Sequence, residues 1–183
     1  MKVRNRTTLI LTLAAVFIIA ATLFMFGGNI SSLSFPSFSF SSGVRETDST
    51  EMPVATSGSD RIDRNATIEQ SFICTTDSIS QIGIVFYKIE QIENANVVIE
   101  VLDGSTTLIQ GIYLAEDIES EHRTFLVANE PISGLMNKKL KIRIYSLNGA
   151  DTGLGVMISE DARSSYKFNG STRKGTICFA VDA

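Results

Sequence analysis

Residues able to do acid, base or nucleophilic chemistry are few in this chain and lie far apart. Its 183 residues include a single histidine, His122, two cysteines and no tryptophan. A side-chain nucleophile needs a base within hydrogen-bond reach, and none of the serines occupies the G-x-S-x-G pattern of a nucleophile elbow. The sequence therefore predicts a protein that is not an enzyme and has no catalytic residues.

Metal-ligating residues are equally sparse. One histidine and two widely separated cysteines provide no ligand cluster for zinc or an iron–sulfur centre. The run from Glu116 to Glu121 (EDIESE) has the carboxylates that calcium prefers, but its spacing matches no EF-hand loop. This composition favours a solvated acidic loop over a calcium site. We predict no metal and no cofactor.

One strand places a row of polar side chains on a single face. In Lys139–Tyr145 (KLKIRIY) the apolar residues alternate with Lys141, Arg143 and Tyr145, so one face is buried and the other is wet. Such a basic stripe suits an anionic glycan or an acidic patch on a partner, and an ordinary solubilising face is the alternative. Tyr113 is expected to lie beside it if the apolar neighbours of Tyr113 face the core and the two strands are adjacent.

The elements that must position these residues are short strands. Apolar or aromatic residues alternate with polar ones across residues 66–183, and Asn or Gly residues that tolerate positive φ punctuate the segments. The predicted strands are Thr67–Cys74, Ser80–Tyr87, Asn96–Leu102, Leu108–Ala115, Arg123–Ala128, Lys139–Leu147, Leu154–Ser159 and Thr176–Val181. The turn signals are Asp103-Gly104, Asn129–Pro131, Asn148-Gly149 and Asn169-Gly170. The pattern predicts an all-β, eight-stranded, two-sheet β-sandwich of jelly-roll size.

An apolar segment precedes this region. Residues 1–8 form a basic tail, and Leu9–Phe26 contains no charge. With the next two glycines, residues 9–28 make a helix of about 20 residues, enough for the ~30 Å hydrocarbon core. Because the cations precede the segment, the N-terminus is predicted to be cytoplasmic and the rest extracytoplasmic. The run is long for a cleaved signal peptide and lacks an A-x-A exit, which favours a single-pass signal anchor over that alternative.

Residues 29–65 are predicted to form a flexible stalk. Ser31–Ser42 alternates serine with three phenylalanines, and the residues that follow are polar and without period. Such a composition buries too little apolar surface to offset the cost of ordering the chain. The domain boundaries are therefore 1–8, 9–28, 29–65 and 66–183.

The order of motifs in residues 67–183 resembles a known type of module. The motifs are Ile68–Phe72, Ile79–Ile84, Val97–Gly104 (VVIEVLDG), Arg123–Leu126 (RTFL), Leu140–Tyr145, Phe168–Gly170 and Thr176–Val181 (TICFAV). This order is similar to the galactose-binding-domain-like jelly rolls of bacterial cell-envelope membrane proteins, including some polysaccharide-building glycosyltransferases. The resemblance implies a jelly roll that binds glycan, although the chain lacks the tryptophan platforms common in such modules.

The resemblance also bears on the two cysteines. The first and last strands usually neighbour each other in such jelly rolls, and here they carry Cys74 and Cys178. This implies a candidate disulfide, which an extracytoplasmic compartment permits. Two buried free thiols are the alternative.

Charge limits the choice of partner. The formal charge of -4, without a long basic run, argues against nucleic acid. We predict a non-enzymatic single-pass membrane protein whose module binds cell-envelope glycan or a partner in polysaccharide synthesis. The alternative is a structural accessory subunit of a membrane complex that binds no sugar.

Overall fold

Alternating apolar and polar residues form β-strands throughout the part of the chain that the structure describes. In the computed structural model this part comprises residues 47–48, 52–160 and 164–183, and it lies within one compact unit, Ser41–Ala183. The predicted membrane segment, residues 9–28, lies outside the described residues. Among those that are described, no helix is both long and apolar enough to cross a bilayer.

The strands of the described residues follow one another along the chain with short connections. They are β1 Thr47–Asp48, β2 Ser57–Gly58, β3 Thr67–Ile73, β4 Ser78–Lys88, β5 Asn96–Asp103, β6 Thr106–Leu114, β7 Arg123–Ser133, β8 Lys139–Ser146, β9 Leu154–Ser159, β10 Ser165–Phe168, β11 Ser171–Lys174, β12 Thr176–Ile177 and β13 Phe179–Asp182. Single 3₁₀ turns occur at Ala115–Asp117 and Leu147–Gly149.

These strands form two sheets. The seven-stranded sheet has the order β11-β10-β3-β8-β5-β6, with β1 parallel beside β3. The six-stranded sheet has the order β12-β9-β4-β13, with β2 beside β9 and β7 beside β4. Apart from the β1–β3 pair, the pairings between described strands are antiparallel. The all-β, two-sheet prediction is confirmed, but the chain has more strands than the predicted eight.

The core lies between the two sheets. Phe72 of β3 meets Phe179 of β13 with 5.1 Å between ring centroids, and both side chains are fully buried. Gln70 also points inward, and its Oε1 accepts hydrogen bonds from the Thr176 hydroxyl and the Ile177 amide at 3.2 and 3.3 Å. A buried amide of this kind is stable only when its polar atoms are paired, so Gln70 fastens the two sheets together.

The β10–β11 hairpin was absent from the sequence prediction. Its turn, Asn169-Gly170, was correctly predicted, and both turn residues have positive φ (50° and 77°). Phe168 pairs with Ser171 directly across this two-residue turn, which is the geometry that Asn-Gly favours. The residue pattern does not predict these two strands, because each has four residues and β11 is exposed along its whole length.

One predicted turn proved to be part of a strand. Asn129–Pro131 lies inside β7, which continues to Ser133. The partner of Ile79 is Ile132, whereas that of Gln81 is Val127, so residues 128–131 bulge out of the ladder. The turn-forming residues therefore interrupt pairing without reversing the chain. The predicted last strand also splits, since Cys178 separates β12 from β13.

The end of the predicted stalk belongs to the sandwich. The amides of Thr56, Ser59 and Ile62 donate to backbone carbonyls of β9, each at 2.8 Å. Ile62 is completely buried in the core. Residues 56–62 thus lie along β9, although they fall within the segment predicted as the stalk, residues 29–65. Few apolar residues are needed here, because backbone hydrogen bonds hold this segment.

The two cysteines are buried free thiols, so the candidate disulfide is a wrong prediction. Their strands are not neighbours: β3 pairs with β1, β8 and β10, whereas β13 pairs with β4. Cys74 belongs to the core cluster, but Cys178 lies outside it, between the core residues Ile177 and Phe179. Successive side chains of an extended chain point to opposite faces, so the Cys178 thiol points away from the core that holds Cys74.

Candidate functional site

The predicted polar row lies on the outer face of the seven-stranded sheet. Strand β8 is central, between β3 and β5, and its apolar residues alternate into the core as predicted. Lys141, Arg143 and Tyr145 are half-buried on the opposite face. The sequence prediction for these three side chains is therefore confirmed in position.

A buried carboxylate lies at the centre of this face. Glu100 of β5 is only 3% exposed, although its neighbours Ile99 and Val101 are the ones that belong to the core. Strand alternation places Glu100 on the outer side. In register it lies between Arg143 of β8 and Gln110 of β6, so side chains from both adjacent strands close over it.

Glu100 accepts hydrogen bonds from three side chains. Arg143 approaches Oε2 with Nε at 2.7 Å and Nη2 at 2.5 Å. Gln110 Nε2 donates to Oε1 at 2.6 Å, and the Tyr145 hydroxyl donates to the same oxygen at 3.2 Å. Charge-assisted bonds of this type are short and directional. We call these four residues the Glu100 cluster.

The cluster also fixes the aromatic ring of Tyr145. The Arg143 guanidinium lies 5.7 Å from the centroid of that ring, within the range of a cation–π contact. Burial raises the pKa of the Tyr145 hydroxyl above its usual value, and the negative charge of Glu100 raises it further. The phenol is therefore neutral at physiological pH and acts as a hydrogen-bond donor.

The basic stripe carries no excess of positive charge. Lys141 Nζ lies 3.1 Å from Glu69 Oε1 of β3, and Arg143 is paired with Glu100. Each cation is thus matched by a carboxylate on a neighbouring strand. The surface offers an alternation of donors and acceptors, which differs from the net positive patch that would attract an anion from a distance.

Tyr113 does not join this surface. Ile112 and Leu114, predicted to face the core, are 56% and 39% exposed, whereas the Tyr113 ring packs against the core cluster. A β-bulge inverts the facing: Val101 pairs with Ile109 but Leu102 pairs with Thr107, leaving Leu108 unpaired. One extra residue moves each later side chain to the opposite face, and β5 separates β6 from β8.

Tyr113 lines a different feature, a cleft of about 490 Å³ between β6 and β7. His122 borders this cleft, 73% exposed, with Nδ1 3.8 Å from the Glu119 carboxylate. The acidic run begins as a 3₁₀ turn, Ala115–Asp117. Within the described residues no three His, Cys, Asp or Glu side chains are grouped so as to hold a metal ion.

Glu100 and Gln110 were missed by the sequence prediction. A signal for Glu100 was present, because it is the only charged residue in the apolar run Val97–Leu102. A carboxylate in such a run needs partners on adjacent strands. Gln110 carried no comparable signal, since only the pairing of β5 with β6 places it beside Glu100.

Comparison with known proteins adds no assignment for this surface. No protein-family model matches the chain, and no curated protein matches it at a significant level.

Proposed function

We propose that this chain is a non-enzymatic, single-pass membrane protein whose extracytoplasmic β-sandwich, a jelly roll, binds cell-envelope glycan on the outer face of β8, β5 and β6. The observation that carries the proposal is the Glu100 cluster: a carboxylate 3% exposed on the side of the sheet that faces away from the core. It holds donors from two adjacent strands in fixed positions. A fixed array of polar groups binds without a further ordering cost.

The cluster keeps hydrogen-bonding capacity for a ligand. The Arg143 side chain is 37% exposed. Its guanidinium has five N–H donors, and only the Nε and Nη2 nitrogens contact Glu100. Gln110 is exposed, and its Nε2 alone is used toward Glu100, which leaves its carbonyl oxygen as an acceptor. Sugar hydroxyls both donate and accept hydrogen bonds, so this mixture of groups suits them.

An apolar row lies directly beside the polar one. Val98 of β5 is in register with Tyr145 of β8 and with Ile112 of β6. Val98 is 1% exposed, whereas Ile112 is 56% exposed. The C–H face of a pyranose packs on Tyr145 and Ile112, which flank the buried Val98, while its hydroxyls meet Arg143 and Gln110. Tyr145 here takes the part that a tryptophan platform has in other glycan-binding modules.

Pairing of the charges favours an uncharged glycan. Lys141 and Arg143 each have a carboxylate partner on a neighbouring strand, so an anionic polymer gains little attraction from them. We therefore propose a neutral, hydroxyl-rich polysaccharide in place of the anionic one that the basic stripe alone suggested.

The membrane anchor and the jelly-roll topology are part of the same proposal. Support for the anchor is the uncharged run Leu9–Phe26 with cations before it. Support for the jelly roll is the two-sheet architecture together with the resemblance to galactose-binding-domain-like modules. Protease added to intact cells should degrade the C-terminal module and spare the N-terminal tail. Protection of the module in intact cells would contradict the proposed orientation.

Glycan binding is tested with the full chain purified in detergent and a panel of neutral and anionic envelope polysaccharides. Arg143→Lys keeps the charge beside Glu100 but removes the planar fork, and we expect affinity to fall about tenfold or more, one to two hydrogen bonds' worth. Tyr145→Ala should have a similar effect. Lys174→Gln, at the far edge of the same sheet, is the control.

Two outcomes separate the alternatives. Binding that is lost in Arg143→Lys and kept in Lys174→Gln supports the proposed site. Absence of binding to every polysaccharide, with recovery of a stable complex by crosslinking in membranes, favours the structural accessory subunit.

A further inference from the structure

Exposed apolar side chains concentrate on two edge strands. Ile112 and Leu114 on β6, and Phe125 and Val127 on β7, are 56%, 39%, 42% and 60% exposed. They are four of the seven exposed large hydrophobic residues among those that the structure describes. Ile112 belongs to the proposed glycan surface, so Phe125 and Val127 on β7 are the pair still to be explained. Exposed apolar side chains of this kind reduce solubility unless another surface covers them.

Strand β7 offers an open edge for pairing. Among the described strands its hydrogen-bonded partner is β4, on one side. On the other side the Phe125 carbonyl points away from β4 and accepts a bond from the Tyr113 hydroxyl at 2.9 Å, with its second lone pair left over. In an antiparallel strand both backbone groups of a residue point the same way, so Arg123, Phe125 and Val127 present N–H and C=O groups at this edge.

The outward side chains of this edge are complementary to those of a second copy of β7. We propose that two copies of the chain associate by antiparallel pairing of β7 with β7 about a two-fold axis near Leu126. This register puts Phe125 opposite Val127 of the partner subunit, and Val127 opposite the partner's Phe125. Aromatic and β-branched residues are a favourable cross-strand pair. Because a two-fold interface is isologous, each contact occurs twice.

Charges at the two ends of the edge are complementary under the same two-fold axis. Arg123 borders the cleft of about 490 Å³ at one end, and Glu130 borders a cleft of about 210 Å³ at the other. Neither forms a salt bridge with another residue in the described part of the chain. Pairing centred on Leu126 ends at Val127 of each strand, because residues 128–131 bulge out of the ladder, and it directs Arg123 toward the partner's bulge, which carries Glu130. Opposite charges thus meet at both ends.

Few features of residues 124–128 oppose this association. Natural edge strands avoid pairing through charged side chains, especially lysine, and through proline, and residues 124–128 contain none of these. The Tyr113 hydroxyl uses one lone pair of the Phe125 carbonyl. Pro131 and the bulge of residues 128–131 limit the pairing to the first half of β7.

A crosslinking experiment tests the register. Two full-length variants, Phe125→Cys and Val127→Cys, carry different tags and are expressed together, then oxidised mildly in membranes. The native cysteines are 0% and 1% exposed and contribute little background. A disulfide dimer containing both tags is expected. The absence of a disulfide dimer containing both tags would overturn the proposed pairing. So would a disulfide dimer that forms equally well when both copies carry Phe125→Cys.

Mass measurement in detergent tests the interface independently of the register. Wild-type chain should be dimeric, and Val127→Lys should raise the dissociation constant roughly tenfold or more, since it removes two cross-strand pairs. Val54→Lys is the matched control, because Val54 is 80% exposed and lies outside β7. A monomeric wild type, or a dimer that Val127→Lys leaves unchanged, would refute the proposal.

Discussion

Replacing Arg143 by methionine would show how strongly the Glu100 carboxylate depends on its partner. Methionine keeps an unbranched side chain on β8 but removes both hydrogen bonds to Oε2, at 2.7 and 2.5 Å. Glu100 would then retain only Gln110 and Tyr145, both on Oε1. The change therefore leaves a buried negative charge without a cation.

The expected loss of unfolding free energy depends on which member of the Glu100–Arg143 ion pair remains. The Glu100 side chain is 4% exposed and that of Arg143 is 37% exposed. Removing one partner of a fully buried pair costs about 3–5 kcal/mol, because the other charge stays buried. Here the carboxylate is the buried one, so we expect about 3 kcal/mol for Arg143→Met. Glu100→Gln leaves Arg143, which reaches water, and should cost about 1–2 kcal/mol.

A second ion pair on the same face supplies the control. Lys141 and Glu69 are 37% and 23% exposed, and such pairs contribute up to about 1 kcal/mol. Lys141→Met should therefore be much milder than Arg143→Met, although both remove a cation from β8. Thermal unfolding of the full chain, followed by circular dichroism, should show a melting temperature lower by about 6–12 °C for Arg143→Met.

The double variant Glu100→Gln/Arg143→Met sharpens the test. With no charge left in the cluster, its loss should be smaller than the sum of the single losses by at least about 1 kcal/mol. The reasoning is refuted if Arg143→Met costs no more than Lys141→Met, or if Glu100→Gln is the more damaging of the two single variants.

Three further outcomes are expected. Burial raises the pKa of the Cys178 thiol from 9.0 to about 11. The contribution of the neutral thiol to stability is therefore complete below pH 9 and is lost as the pH rises from 9 toward about 11. Over that range the unfolding free energy of Cys178→Ala should fall less steeply than that of the wild type. Gly155→Ala places a Cβ 2.4 Å from the Tyr87 ring and should cost about 2–3 kcal/mol by overpacking, against about 1 kcal/mol for Gly104→Ala, where positive φ alone opposes the new side chain; equal shifts in melting temperature would contradict this. Tyr113→Phe should lose about 1 kcal/mol of stability with its hydroxyl bond and leave polysaccharide affinity unchanged, whereas weaker binding would place Tyr113 in the site after all.

Strand existence was predictable from residue types because alternation is a local property. The alternating side chains of β8 face as predicted, and Leu154–Ser159 was predicted with the bounds that the structure has. Turn chemistry was predictable where two residues alone reverse the chain, as at Asn169-Gly170. It failed at Asn129–Pro131, where a long partner strand, β4, continues to pair beyond the break.

The sequence does not predict in the same way which face of a sheet a side chain occupies or which strands are neighbours. A single unpaired residue, Leu108, moves Tyr113 to the opposite face of the sheet. The residues of β6 do not predict this bulge, because a bulge is defined by pairing with the partner strand. The cysteine prediction failed for a similar reason. It depended on two strands being neighbours, which sheet order decides.

Residue types alone predict short strands from residue 67 onward and one wet face shared by Lys141, Arg143 and Tyr145, because side-chain direction alternates along any strand whatever lies beside it. Only the packed fold shows that Glu100 and Gln110 complete this face, that Tyr113 turns away from it, and that both cysteines are free thiols. Each of those outcomes depends on which strands are adjacent and in what register, and such long-range pairing is settled by packing of the whole core.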